Sequence, residues 1–357
     1  MASRALSSSA LSTLLSAAVA LALCGCGQQT PEADSASAPV PSEPASEEAP
    51  IELAYSISFP ASHRQYETAV AWAREVEKRT GGRVAITTHP DDALTQAPRC
   101  FEEVLKGASD IGMTSFASTP GRFPLLEGLD MPLGYPSGAA ASRIAADIVA
   151  KYDPEELSDV HLLYVHAHGP GMLASRKAVR TLDNMAGLKV RATGVPAKIV
   201  EALGGIPATL GQAETYEALQ KGSVEATWCP IETLKEWKQG EVIAYVVDTS
   251  PIACTTAMFV VMNKAKWQAL PEDVRQVIGE VSAQWTAKHG AAWDKADDEG
   301  RAFVEGLGRE IIRLPGDEQA RWKAAVQPVL DEYVARTHEK QLPGEVLLEN
   351  VRAALAQ

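Results

Sequence analysis

The chain is short of basic residues, of cysteine and of long apolar runs, and each shortage closes off a class of function. Its 33 Lys and Arg stand against 46 Asp and Glu, for a formal net charge of −13. The basic residues form no cluster of the kind that neutralises a nucleic-acid backbone, so no nucleic-acid partner is expected. Five cysteines without a CxxC spacing give no structural zinc site. No GxSxG elbow marks a nucleophile, and no cofactor is expected. What is present suits a globular protein: 357 residues at 46% hydrophobic composition are enough for two lobes with sizeable cores.

The first 26 residues carry Arg4, an apolar run from Leu11 to Leu23, and then Cys24-Gly25-Cys26. At about 13 residues the run is too short to span a bilayer, which takes roughly 20, and it reads as a signal peptide. Leu23-Cys24-Gly25-Cys26 resembles a bacterial lipobox, which makes Cys26 the expected lipidation site and lipid the membrane anchor. Ordinary cleavage without lipid is the alternative, and it leaves Cys26 unexplained. Residues 27–50 are Gln, Ser, Ala, Pro and Glu with five acidic residues and no basic one. Such a segment buries too little apolar surface to order itself and is expected to be a disordered acidic tether. The remaining cysteines, Cys100, Cys229 and Cys254, permit one disulfide in an oxidising compartment, with the pairing open.

Beyond the tether, Ile51 to Ile57 alternates like a strand, and Phe59 to His63 forms a loop into a helix from about Gln65 to Arg79. The helix carries Ala69, Trp72 and Val76 at helical spacing and stops at Gly81-Gly82. A strand Val84–His89, a helix ending Leu105-Lys106-Gly107 and a strand Ile111–Ser115 follow. The same order recurs from Gly204-Gly205 through a strand Ile206 to Leu210, a helix ending Gln220-Lys221-Gly222 and a strand Val224 to Trp228. Such alternation predicts parallel sheets whose ligands bind beyond the carboxyl ends of the strands. Two such units predict two lobes facing a shared cleft, approached by Ser115 and Phe116 from one side and Trp228 and Cys229 from the other.

Between Gly187 and Pro230 the chain reads GLKVRATGVPAKIVEALGGIPATLGQAETYEALQKGSVEATWCP. Arg191 sits on a short strand with Leu188, Val190 and Ala192, where a guanidinium is costly unless an anion meets it. Its planar fork matches a carboxylate, supplied either by a ligand or by a fixed Asp or Glu. The segment resembles the solute-binding receptors of TRAP transporters (tripartite ATP-independent periplasmic transporters, C4-dicarboxylate receptor type). Further matches are TGGRV at Thr80 to Val84, LKGASDIGMTS at Leu105 to Ser115 and MNKAKWQALP at Met262 to Pro271.

The resemblance implies an α/β, two-lobed, periplasmic-binding-protein-like fold with crossover strands and a long helix bracing both lobes. Leu162 to His168 and Thr255 to Met262 are the expected crossover strands, and Pro271 to about Val304 the brace, with Gly279 and Gly290 as places to bend. The first lobe is expected to take residues 51–168 and about 257–304. The second is expected to take 169–256 and about 305–357.

By the same resemblance Arg191 grips the substrate carboxylate and Arg176 is a second basic contact; a solvated patch with Lys177 and Arg180 is the other reading of Arg176. Many relatives carry a polar Gln-Glu-Asn-Pro where this chain has Thr227-Trp228-Cys229-Pro230. An indole and a small thiol favour an apolar or aromatic ligand body over a simple C4-dicarboxylate, unless Trp228 is core. Phe59, Thr114, Ser115 and Phe116 are placed to complete the walls. Glu232 reads as a surface helix carboxylate or the partner of a basic group, and Tyr216 and Leu219 as core. His166 and His168 share a strand face opposite His161; no third ligand completes a metal site, and His168 is the one expected at the cleft.

The leading function is therefore a periplasmic or cell-surface receptor, anchored at Cys26, that passes an organic monocarboxylate to TRAP membrane permease subunits. One alternative is a receptor feeding a signalling partner. Another is a secreted hydrolase with Cys229 as nucleophile and His166 or His168 as base, although Cys229 precedes proline rather than a helix start that would activate it.

Overall fold

The computed structural model describes residues 49–357. The signal segment, Cys26 and all but the last two residues of the acidic tether lie outside the described residues. The first half runs β1 (Ile51–Ile57), α1 (Arg64–Arg79), β2 (Val84–His89), α2 (Cys100–Leu105), β3 (Ile111–Ser115), α3 (Gly138–Tyr152) and β4 (Val160–Ala167). The middle runs β5 (Gly171–Ser175), β6 (Lys189–Arg191), α4 (Val195–Ala202), β7 (Ile206–Ala208), α5 (Gln212–Lys221), β8 (Ala226–Pro230), α6 (Thr233–Glu236) and β9 (Tyr245–Asp248). The chain ends with β10 (Ala257–Asn263), α7 (Lys264–Ala269), α8 (Glu272–Gly306), β11 (Glu310–Arg313), α9 (Gly316–Glu339) and α10 (Gly344–Leu355).

The strands form two sheets, ordered β2-β1-β3-β10-β4 and β11-β9-β5-β8-β6-β7. The internal repeat is real. In each sheet the first strand of the unit pairs in parallel with the second on one side and the third on the other, β2-β1-β3 matching β7-β6-β8. The expectation of purely parallel sheets fails at the strands next to the crossovers. β10 runs antiparallel to β3 and β4, and β5 antiparallel to β8 and β9. Neither expected crossover strand bridges the lobes: β4 and β10 both stay in the first sheet, and the chain changes sheets over residues 168–170 and 249–256.

Helix α1 shows why the local sequence folds as it does. Ala69, Trp72, Ala73 and Val76 recur at helical spacing and are buried, and the His63 side chain caps the start by accepting the Gln65 backbone N–H at 3.1 Å. Gly81 and Gly82 end it at positive φ, where a side chain would be strained. Helix α8 is one continuous helix despite Gly279 and Gly290. Its buried residues, from Val274 through Trp285, Trp293 and Gly300 to Val304, follow one stripe along its whole length. The early part of that stripe joins the core beneath β1 and β3, and Val304 joins the core around Met172 and Leu219. Gly290 is there for packing, since a Cβ would come within 2.9 Å of the Ala139 backbone on α3. Helix α10, expected with the second lobe, packs on α9 and also on α3 and the 3-10 turn Leu126–Asp130.

Candidate functional site

A cavity of about 720 Å³ lies where the carboxyl ends of β1, β3, β6 and β8 converge, lined from both sheets. That size suits a small organic ligand. Arg191, the last residue of β6, lines it and is 9% exposed. Its Nε donates to the Leu210 carbonyl at 3.1 Å. Among the described residues no carboxylate lies within 4.0 Å of the guanidinium, and its terminal nitrogens donate to no protein acceptor. Burial lowers its pKa from the usual value, with the neighbouring Cys229 acting weakly the other way. The planar fork of such a guanidinium has the geometry to take a carboxylate by two parallel hydrogen bonds.

Trp228 and Cys229, near the end of β8, also line the cavity. Trp228 belongs to the main core as well, and its indole N–H donates to Cys254 Sγ at 3.3 Å. It is therefore both a core residue, 3% exposed, and part of the cavity wall. Thr114 and Ser115 line the cavity from β3, tied to Ser118 through hydroxyl contacts of 3.2 and 2.7 Å. Phe59 lines it after β1, its ring 4.4 Å from that of His63 and 5.7 Å from that of Trp293. His168 lines it at the first sheet-to-sheet crossing.

Two expected wall residues are elsewhere. Phe116 opens the 3-10 turn Phe116–Ser118, capped by Ser115 Oγ, and this turns its ring into the core against Phe123 and Phe259 at 5.0 and 5.2 Å. Ala117 and Ser118 take the places on the cavity. Arg176 is at the wrong end of the sheet. β5 runs antiparallel to β8 with Gly171 opposite Pro230 and Ser175 opposite Ala226, so the residue after Ser175 emerges far from the cavity. It is exposed, with Lys177 paired to Glu225 and Arg180 to Glu310 nearby, a solvated charged surface.

Other side chains were missed or misjudged. Glu232 is not a surface carboxylate: it is 2% exposed and lines the cavity. Its Oε2 faces His63 Nε2 at 3.3 Å and its Oε1 accepts the Thr233 hydroxyl at 2.6 Å. Its backbone N–H donates to Asp297 Oδ1 at 3.1 Å. Burial, then the charge of Glu232, raises Asp297 to about 8. Trp237 and Trp293 add two indoles to the walls. The signal for Trp293 was in the sequence, one helical stripe along from Trp285. Tyr216 is partly exposed and donates to Glu241 at 3.2 Å, so it is not core.

The histidines do not assemble a metal site, and the described residues contain no candidate cluster. His166 is fully buried, accepts the Trp293 indole N–H at 3.0 Å and stacks on His289 at 4.1 Å. His161 stacks on Trp267 at 3.6 Å. Cys100, Cys229 and Cys254 are all buried and unpaired. Burial, then Glu232, raises the Cys229 thiol to about 12, the reverse of what a nucleophile needs.

Comparison with known proteins agrees with this arrangement. A solute-binding protein of the TRAP type from Rhodoferax ferrireducens, in complex with copurified benzoate, is 26% identical with a TM-score of 0.81, covering 86% of this chain and 98% of that one. Another from Bordetella bronchiseptica, with bound (R)- and (S)-mandelate, is 25% identical with a TM-score of 0.80, covering 86% and 99%. The C4-dicarboxylate-binding periplasmic protein of Rhodobacter capsulatus is 25% identical over 316 residues, 86% of this chain and 92% of that one. The family described as bacterial extracellular solute-binding protein, family 7 (DctP), matches residues 55–337, and the chain belongs to it: a two-lobed receptor of the TRAP transport systems, not an enzyme.

Proposed function

We propose that this receptor binds a monocarboxylate with an aromatic or branched apolar body, gripped at its carboxylate by Arg191. The observation that carries the reading is a buried guanidinium with no internal acceptor for its terminal nitrogens, on the wall of the interlobe cavity. Trp228, Trp237, Trp293 and Phe59 line the same cavity and offer flat faces to a ring. The benzoate and mandelate of the two structural relatives are ligands of this kind. Thr114, Ser115, Cys229 and His168 complete the contact set.

Closure of the lobes, residues 51–168 with about 257–304 against 169–256 with about 305–357, dries the site and strengthens the ion pair. The ligand shifts the population toward the closed form because only that form makes all of its contacts. The closed receptor then delivers the acid to the membrane permease subunits, held near them by lipid on Cys26 and the acidic link of residues 27–50. Palmitate labelling that is lost in Cys26→Ala tests the anchor.

A thermal-shift screen against carboxylic acids tests the ligand class, since a ligand at 100 times its dissociation constant stabilises the fold by about 2.7 kcal/mol. Hits among aromatic and branched monocarboxylates, lost in Arg191→Ala, are expected. Hits confined to succinate-like diacids would refute the ligand class while leaving the family membership untouched.

A further inference from the structure

The cavity wall carries a surplus of the same sign as the acid it is to hold. Among the described residues Arg191 is the single Lys or Arg on that wall, against four carboxylates: Asp91, Asp92, Glu214 and Glu232. His168 adds no positive charge, because burial lowers its pKa and keeps the ring neutral. Glu232 is turned into the protein, with its oxygens against Thr233 and His63.

The other three stand together at the far margin of the cleft. Asp91 and Asp92 follow β2, and Glu214 is in the first turn of α5, the helix after β7. β2 and β7 are edge strands, on the side of each sheet away from the strands that border the sheet-to-sheet crossings. Asp91 and Glu214 are exposed while lining the cavity, which makes this margin its mouth. None of the three pairs with a Lys, Arg or His among the described residues. Each is held in place by backbone. Glu214 Oε2 accepts the Gly211 N–H at 2.9 Å, and the N–H groups of Asp91 and Asp92 donate to the Phe59 and Ile57 carbonyls at 3.0 and 3.4 Å. Burial raises Asp92 to about 6, and at pH 8 it is a carboxylate.

Arg191 gives an anion its reason to enter: it is 9% exposed, and its terminal nitrogens donate to no acceptor among the described residues. Once that fork holds one carboxylate, every formal charge left on the wall is negative. A cleft lined by one sign of charge acts through its field on any further charge a ligand carries, without direct contact. A second carboxylate is repelled, an uncharged substituent is ignored, and an ammonium is attracted.

We propose that Asp91, Asp92 and Glu214 sort acids by the charge they carry away from the gripped carboxylate, so that the receptor favours ammonium-bearing acids, accepts uncharged ones and refuses diacids. This rests on the carboxylate grip assigned above to Arg191. It leaves the apolar body of the ligand as proposed there and adds a charge requirement to it.

Isothermal titration calorimetry of the purified full chain at pH 8 and low salt, with para-toluate, para-(aminomethyl)benzoate and terephthalate, tests it. The three acids share one ring and differ in the charge at its far end. The aminomethyl acid is expected to bind at least about threefold more tightly than para-toluate, and terephthalate at least about tenfold more weakly. In about 0.5 M sodium chloride both gaps are expected to shrink at least about threefold, because salt screens charges at an exposed mouth and does not relieve a steric clash. The triple variant Asp91→Asn, Asp92→Asn, Glu214→Gln is expected to shrink them as much at low salt. Asparagine tolerates the positive φ of positions 91 and 92, and a glutamine amide oxygen can still accept the Gly211 N–H.

A wild-type order that ignores charge, or gaps that persist in high salt, overturn the proposal, and neither result needs a variant to fold. A folded triple variant that keeps both gaps overturns it as well. If no aromatic acid binds, the same charge order among caproate, ε-aminocaproate and adipate upholds the sorting while the aromatic ligand class fails. A flat order in that series, or no binding in either, overturns the sorting too.

Discussion

The Nε of Arg191 donates to the carbonyl of Leu210 at 3.1 Å, which steadies the guanidinium by one edge and leaves both terminal nitrogens for the cavity that the residue lines. A buried guanidinium that no carboxylate of its own chain meets costs folding stability. On the proposed function, a bound acid returns that cost as affinity.

Arg191→Met should separate these two effects. Truncating one partner of a buried charge pair removes about 2 to 5 kcal/mol of binding, so aromatic-acid affinity should fall by at least about thirtyfold. The unliganded protein should be as stable as the parent or more so, because an uncompensated buried charge has been replaced by an apolar side chain of similar length. Urea titration of both proteins without ligand is the check. A loss of more than about 2 kcal/mol in the variant would mean that Arg191 is part of the scaffold rather than the grip.

The three described cysteines should resist modification in the native state. Burial above all pushes the thiols of Cys100, Cys229 and Cys254 up to about 11, 12 and 12. Little thiolate therefore exists at pH 8. A chromogenic disulfide reagent should react with none of them within minutes and with all three after denaturation. Fast labelling of Cys229 in the native protein would contradict its buried environment.

Stability should peak near pH 6.5. Burial raises Asp130 and Asp297 to about 8. Between their unfolded values near 4 and about 8 the native state holds protons that the unfolded chain has released, so these groups lower stability as pH rises. Burial also depresses His161 to about 4 and His166 to about 3, with His168 and His289 lowered too. Below pH 6.5 the unfolded chain takes up protons that these rings refuse, so stability rises with pH there, and the four rings outweigh the carboxyls. Above 6.5 only the carboxyls remain, each removing on the order of 1 kcal/mol per pH unit up to about 8. Melting temperatures from pH 5 to 9 should show this dome, and Asp297→Asn should flatten its alkaline side. An unchanged alkaline slope in that variant would move the effect to Asp130 or elsewhere.

Two glycines of α8 should respond oppositely to alanine. Gly279 has open space around its would-be Cβ, so Gly279→Ala should stabilise the protein by up to about 1 kcal/mol through helix propensity. At Gly290 the same Cβ would come within 2.9 Å of the Ala139 backbone, and Gly290→Ala should destabilise by about 1 to 3 kcal/mol as α3 is forced away. Chemical denaturation of both single variants decides it; equal signs would contradict the close packing of α3 on α8.

Much of the fold was legible because it is written in local periodicity. The strands Ile51–Ile57, Val84–His89 and Ile111–Ser115 and the helix Gly344–Leu355 lie where their apolar spacing and flanking glycines put them. The repeat of helix, Gly-Gly, strand, helix, Lys-Gly and strand became the matched strand orders of the two sheets. Strand direction was less legible. Nothing within β5 or β10 records that each runs against its neighbours; Arg176, given a contact role by resemblance alone, emerges at the far end of β5 in the solvated patch that was its other reading. Phe116 was misplaced for a different reason: a three-residue turn, capped by Ser115 and packed through Phe116 on Phe123 and Phe259, decides which of two adjacent side chains faces the cavity. The burial of Glu232 was not legible, because the groups it meets, His63 and Asp297, are each more than 60 residues away in sequence.

The 35 residues of α8 form a single rod, roughly 52 Å long at 1.5 Å per residue, fastened to the core of one half near Trp285 and of the other at Val304. Together with the chain segments at 168–170 and 249–256 it makes three passages of the chain between the two sheets. Three separate connections leave two sheets far less freedom to slide past each other than one would, so a hinge about them is the motion that the proposed function calls for.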